Sequence, residues 1–125
     1  MEEDFQQLVN KALADLPQEF KEKLDNVVIF VEDLPTREQV MQFRLRERYR
    51  ILLGLYEGIP QTKRGIHYGI GGAVPDKITL FRYPILSLAR SKRHLSELVK
   101  DTLYHEIGHH FGMSEEDIEN AKAGK

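Results

Sequence analysis

The segment His105-Glu106-Ile107-Gly108-His109, followed by Gly112, constrains this chain more than any other. Histidines four apart in a helix project from one side, so both imidazoles reach a single metal ion. The glutamate next to the first histidine then stands where a metal-activated water needs a general base. The segment reads as helix on independent grounds, because Leu95, Val99, Leu103, Ile107 and Phe111 give one apolar side at helical spacing. At about 100° per residue, His105 and His109 fall on a different side, near Leu98 and Thr102. Glu97, Asp101, Tyr104 and Gly108 then occupy the sector left for solvent, and Gly112 supplies the conformation that stops the helix.

Glycine seven residues after His105 is where the longer pattern H-E-x-x-H-x-x-G-x-x-H requires a helix-ending turn. The position of that pattern's third histidine is held by Glu115, whose carboxylate is a competent zinc ligand at roughly 2.0–2.2 Å. Ser114 followed by Glu115, Glu116 and Asp117 also has the form of a helix N-terminus, a cap with acids facing the dipole. The two readings are compatible, since one first-turn acid can face a metal while the others face water. Glu116, Asp117 and Glu119 are the alternatives to Glu115 as third ligand, followed by His94 and His67. His110 is turned away from His109 toward the core side and reads as a structural histidine, whereas His67 and His94 otherwise read as surface residues. Tyr68, Tyr83 and Tyr104 are candidates to donate to an oxyanion, although aromatics in a small domain usually serve the core or its rim.

A length of 125 residues predicts one domain spanning 1–125. The hydrophobic fraction of 41% and charged fraction of 30% are those of an ordinary globular protein. With no cysteine there is no disulfide framework, thiolate metal site or cysteine nucleophile. The acidic start Met1-Glu2-Glu3-Asp4 does not read as a secretory signal, and no apolar run is long enough to cross a membrane. These features together predict a cytoplasmic location. A formal net charge of -2 argues against nucleic acid as a partner. The local cluster Arg44, Arg46, Arg48 and Arg50 reads as a solvated face, and only weakly as a nuclease surface.

Along the chain, Phe5, Leu8, Val9, Ala12, Leu13 and Leu16 predict a helix with one buried stripe. Pro17 opens a second short helix with Phe20 and Leu24 inward. The β-branched run Val27–Val31 predicts a strand covered on both faces. Thr36-Arg37-Glu38-Gln39 has the form of a capping box ahead of a helix through Val40, Met41, Phe43 and Leu45. Ile51–Tyr56 predicts a second strand, and the glycine-rich span Gln61–Asp76 a long loop. Lys77–Phe81 alternates between Pro75 and Pro84, as an exposed or edge strand would.

His105–Gly112 continued by Met113–Asp117, with Val31–Pro35, Leu52–Gly58 and Ile78–Arg82, resembles the small bacterial zincin-like metallopeptidases, the minimal zincins. The likeness covers nearly the whole chain. It implies an α+β domain, a small mixed sheet packed against helices with the metal-binding helix near the C-terminus. It also implies Zn2+ held by His105, His109 and an acid matching Glu115. The expected activity is hydrolysis of a peptide or protein substrate with Glu106 as general base, the strand at Ile78–Phe81 pairing with the substrate. A metal-stabilised binding or regulatory module without turnover is the competing expectation. The methionine turn of larger proteases with this motif has no counterpart after Met113.

Overall fold

The computed structural model describes residues 2–46, 51–58 and 76–123, without the side chains of residues 2–4, 46 and 109. In order, these form α1 (Glu2–Ala14), α2 (Gln18–Lys23), β1 (Val27–Glu32), α3 (Arg37–Arg46), β2 (Gly54–Glu57), β3 (Asp76–Phe81), α4 (Arg82–Leu88), α5 (Lys92–His110) and α6 (Glu115–Lys122). The architecture is α+β, with a small mixed sheet beside helices. No helix among the described residues is long and apolar enough to cross a membrane.

Local sequence sets several of these boundaries. At the start of α3, Gln39 N donates to Thr36 Oγ1 (3.1 Å) and Thr36 N donates to Gln39 Oε1 (2.8 Å), the reciprocal pair that the capping box predicts. Ser91 plays the same part for α5, accepting from His94 N at 3.0 Å, while His94 Nδ1 accepts from Arg90 N at 3.0 Å. His94 is therefore a helix-start residue. Gly112 follows α5 with φ +75, a conformation that glycine adopts without steric penalty.

The strand order is β1-β3-β2, with β1 parallel and β2 antiparallel to β3. This corrects two expectations. The strand from Lys77 to Phe81 is the central strand and not an edge, and Ile78, Thr79, Leu80 and Phe81 are all buried. Its alternation of residue types does not mark a wet face, because Thr79 is enclosed along with its neighbours. Conversely, β1 is an edge whose burial alternates: Val27, Ile29 and Val31 are half-buried while Val28 and Phe30 are exposed. A continuous apolar run thus marked a strand correctly but overstated its cover. The second strand is also shorter than Ile51–Tyr56, beginning only at Gly54.

Pairing of Gly54 with Leu80 and Tyr56 with Ile78 puts these four on one face, and α5 packs across it with Val99, Leu103 and Ile107 fully buried. On the helix's other flank, α1 supplies Phe5 and Val9, and α2 supplies Phe20. The core stripe agrees with the sequence pattern as far as Ile107. Phe111 lies beyond the helix and is exposed. In α3, Met41 and Leu45 are likewise exposed.

Tyr104 and Gly108, expected to face solvent, are buried. The helical wheel was right about their direction and wrong about what fills it. Phe20 meets the Tyr104 ring at 5.1 Å, and α6 folds back so that Ile118 covers Gly108. A Cβ on Gly108 would stand 2.6 Å from Ile118 Cγ1. The loop expected over Gln61–Asp76, with His67 and Tyr68, lies outside the described residues except for Asp76, which begins β3. Of the arginine cluster, Arg44 is exposed on α3, while Arg48 and Arg50 lie outside the described residues.

The approach of α5 to the sheet is close at Gly54, where a Cβ would come within 2.6 Å of Thr102 Cγ2 and 3.3 Å of Thr79 O. Gly54→Ala should therefore destabilise the fold by about 1–3 kcal/mol through overpacking. Thr102→Ser, which removes that methyl, should recover part of the loss in the double variant. Urea unfolding of the three variants checks this, and additive effects would contradict the contact.

Candidate metal centre

The chemistry-bearing residues of α5 leave its two flanks. Thr102, Glu106 and His110 face β2, while Asp101 and His105 face α6. His105 Nδ1 lies 2.9 Å from the carbonyl oxygen of Asp101, one turn earlier. A carbonyl oxygen only accepts, so Nδ1 carries the hydrogen and Nε2 is left as the ring's coordinating nitrogen. Nε2 points at Glu115 Oε2, 3.0 Å away. The turn at Gly112 delivers this carboxylate by placing Glu115 at the first position of α6.

The other acids after Gly112 are directed elsewhere. Asp117 closes a capping box with Ser114, accepting from Ser114 N at 3.2 Å while Asp117 N donates to Ser114 Oγ at 3.0 Å. Glu119 holds Lys122 Nζ at 2.9 Å. His94 begins the same helix eleven residues before His105, about 16 Å along its axis, and cannot share an ion with it. His109 follows His105 by one turn on α5, but its side chain lies outside the description, as does His67. Among the described residues no three His, Asp or Glu side chains gather around one point.

The pair that is described has the chemistry a divalent cation needs. One neutral imidazole nitrogen and one carboxylate oxygen are ordinary zinc donors. Two such ligands about 2.1 Å from an ion at a tetrahedral angle stand roughly 3.4 Å apart. The observed 3.0 Å separation needs only a few tenths of an ångström of opening. The Nδ1–carbonyl bond is also the kind of outer support that fixes a metal-ligating imidazole.

Glu106, about 100° round the helix from His105, is fixed by the sheet. Phe81 N donates to Leu53 O at 2.9 Å, so with the antiparallel register residues 53, 55 and 57 bond to β3 and the backbone groups of Gly54 and Tyr56 point away from β3. Tyr56 N donates to Glu106 Oε1 at 3.0 Å. The Tyr56 side chain is itself clamped: its hydroxyl donates to Asp76 Oδ2 at 2.9 Å and its ring stacks on His110 at 3.6 Å. His110 Nε2 lies 3.8 Å from the same Asp76 oxygen, so this histidine packs on β2 rather than entering the core.

Sequence reasoning singled out three other tyrosines and missed Tyr56. Tyr83 is exposed beneath the Arg82 guanidinium and Tyr104 belongs to the core. Burial raises the Tyr104 pKa above the usual tyrosine range, and the Asp15 charge adds to the rise. The one available signal for Tyr56 was its spacing of two from Gly54, which puts the phenol on the face where a glycine admits a helix.

The model of the zincin-like metallopeptidase family matches residues 24–125. The chain belongs to this family. No curated protein matches it. A solved structure of a conserved hypothetical protein from Thermus thermophilus is 27% identical with a TM-score of 0.54, over 89% of this chain and 94% of that one. In this zincin-like chain the Tyr56 hydroxyl is one of the donors to the buried Asp76 carboxylate. Tyr56→Phe should destabilise the protein by about 1–3 kcal/mol by removing that donor from a buried acceptor. An unchanged thermal midpoint would contradict it.

Proposed function

We propose that the chain is a zinc-dependent peptidase in which His105, His109 and Glu115 hold the metal and Glu106 is the general base. The observation that carries this reading is the approach of His105 Nε2 to Glu115 Oε2 at 3.0 Å, within a chain of the zincin-like metallopeptidase family. Zn2+ held there would lower the pKa of a bound water to about 7 and polarise a scissile carbonyl.

The chain's own residues supply the remainder. Asp101 O holds the His105 ring in the orientation that presents Nε2. Glu106 takes the proton from the attacking water and returns it to the departing amine. Its Oε1 is anchored by Tyr56 N, which limits where the carboxylate can swing. Because β3 is interior, the expected substrate pairing with Ile78–Phe81 cannot occur. An extended peptide instead lies along β2, the outer strand beside Glu106 among the described residues, where the backbone groups of Gly54 face away from β3.

Glu106→Gln should keep zinc at the wild-type stoichiometry and lower the hydrolysis of an unstructured peptide library by roughly 10²–10⁴-fold. Metal content by elemental analysis and cleavage by mass spectrometry check the two halves separately. Undiminished cleavage by the variant would overturn the assignment of Glu106.

A further inference from the structure

Asp101 is used twice. Its carbonyl oxygen accepts from His105 Nδ1 at 2.9 Å, and its carboxylate accepts from Lys122 Nζ at 3.0 Å. Lys122 is the last residue of α6, the helix that begins with Glu115. The lysine is well enclosed, with 15% of its side chain exposed, and Glu119 on its own helix holds the same ammonium at 2.9 Å. Between the ends of α6, Ile118 is fully buried against Gly108 and Ala121 is nearly so. The helix that brings the acid is thus fastened to the helix that brings the imidazole at three points: Lys122 on Asp101, Ile118 on Gly108, and Glu115 on His105.

Only the last of these involves a candidate ligand. Glu115 is an exposed side chain on an eight-residue helix that follows a glycine turn, so its aim depends on how firmly α6 is seated. From this arrangement, and resting on the metal site proposed above, we infer that Lys122 is a positioning residue for the metal: by gripping Asp101 it seats α6 so that Glu115 meets His105. The coupling is reciprocal, because an ion that joins Glu115 to His105 must in turn hold α6 down.

The test is zinc affinity, measured by competition with a chromogenic chelator. Lys122→Met keeps the aliphatic stem and removes the grip. It should weaken zinc binding roughly tenfold, the lower end of what loss of outer support does to a metal site. Lys122→Arg, which can still reach the Asp101 carboxylate, should restore most of that affinity. In a Glu115→Ala background, Lys122→Met should have no further effect, because the lysine acts through that carboxylate. Asp101→Asn, which retains the backbone carbonyl on His105, should weaken binding in the same direction as Lys122→Met and guards against a folding defect peculiar to one variant. Zinc affinity unchanged in Lys122→Met, or lowered equally with and without Glu115, would overturn the positioning role while leaving the metal site standing. A wild-type protein that does not bind zinc would overturn both.

Discussion

The packing of α5 between the sheet and α6 is the constraint on which the other features depend. Its apolar stripe, Val99, Leu103 and Ile107, is fully buried. Burial of each such side chain is worth on the order of 1.5–3 kcal/mol, so the helix cannot roll without exposing several of them. Two glycines then set how near its neighbours come. Gly54 admits α5 to the edge strand and Gly108 admits α6 to α5, each at a separation that a methyl group would obstruct. With rotation and distance both fixed, Glu106 meets the sheet edge and His105 meets the first turn of the last helix.

The candidate centre follows from that geometry through a short chain of hydrogen bonds. A carbonyl of α5 selects the tautomer of His105, a backbone amide of β2 holds Glu106, and the Gly112 turn aims Glu115. Each support comes from a different element, so the site is a property of the assembled fold and not of the helix alone. Lys122 shows the same logic at a distance. Burial alone would lower its pKa, yet the hydrogen bonds it donates to Glu119 and Asp101 outweigh this and raise it, keeping the ammonium charged and its grip intact at neutral pH.

Much of this was legible in the sequence where a local rule applied. The capping box at Thr36, the stripe of the long helix and the stop at Gly112 all depend on spacing within a few residues, whereas the α+β class came from the resemblance to the zincin-like family. The features that were not legible depend on which segments meet. Lys77–Phe81 alternates like an edge strand, but its place between β1 and β2 is decided by pairings far along the chain. Tyr104 and Gly108 point where the helical wheel puts them, and only the return of α6 turns that sector into core. Tyr56, Asp76 and Asp101 acquire their roles in the same way, through partners that no periodicity connects to them. Near the site, Glu115 comes within 3.0 Å of His105 because the Gly112 turn folds the last helix back beside the long one.

The central claim is that one divalent cation is shared by His105, His109 and Glu115. Anomalous diffraction from zinc-soaked crystals, recorded on both sides of the zinc absorption edge, tests it most directly. The account predicts a single strong peak within about 2.0–2.2 Å of His105 Nε2, His109 and a Glu115 carboxylate oxygen. A peak elsewhere, or one that touches His105 while Glu115 points away, would contradict it.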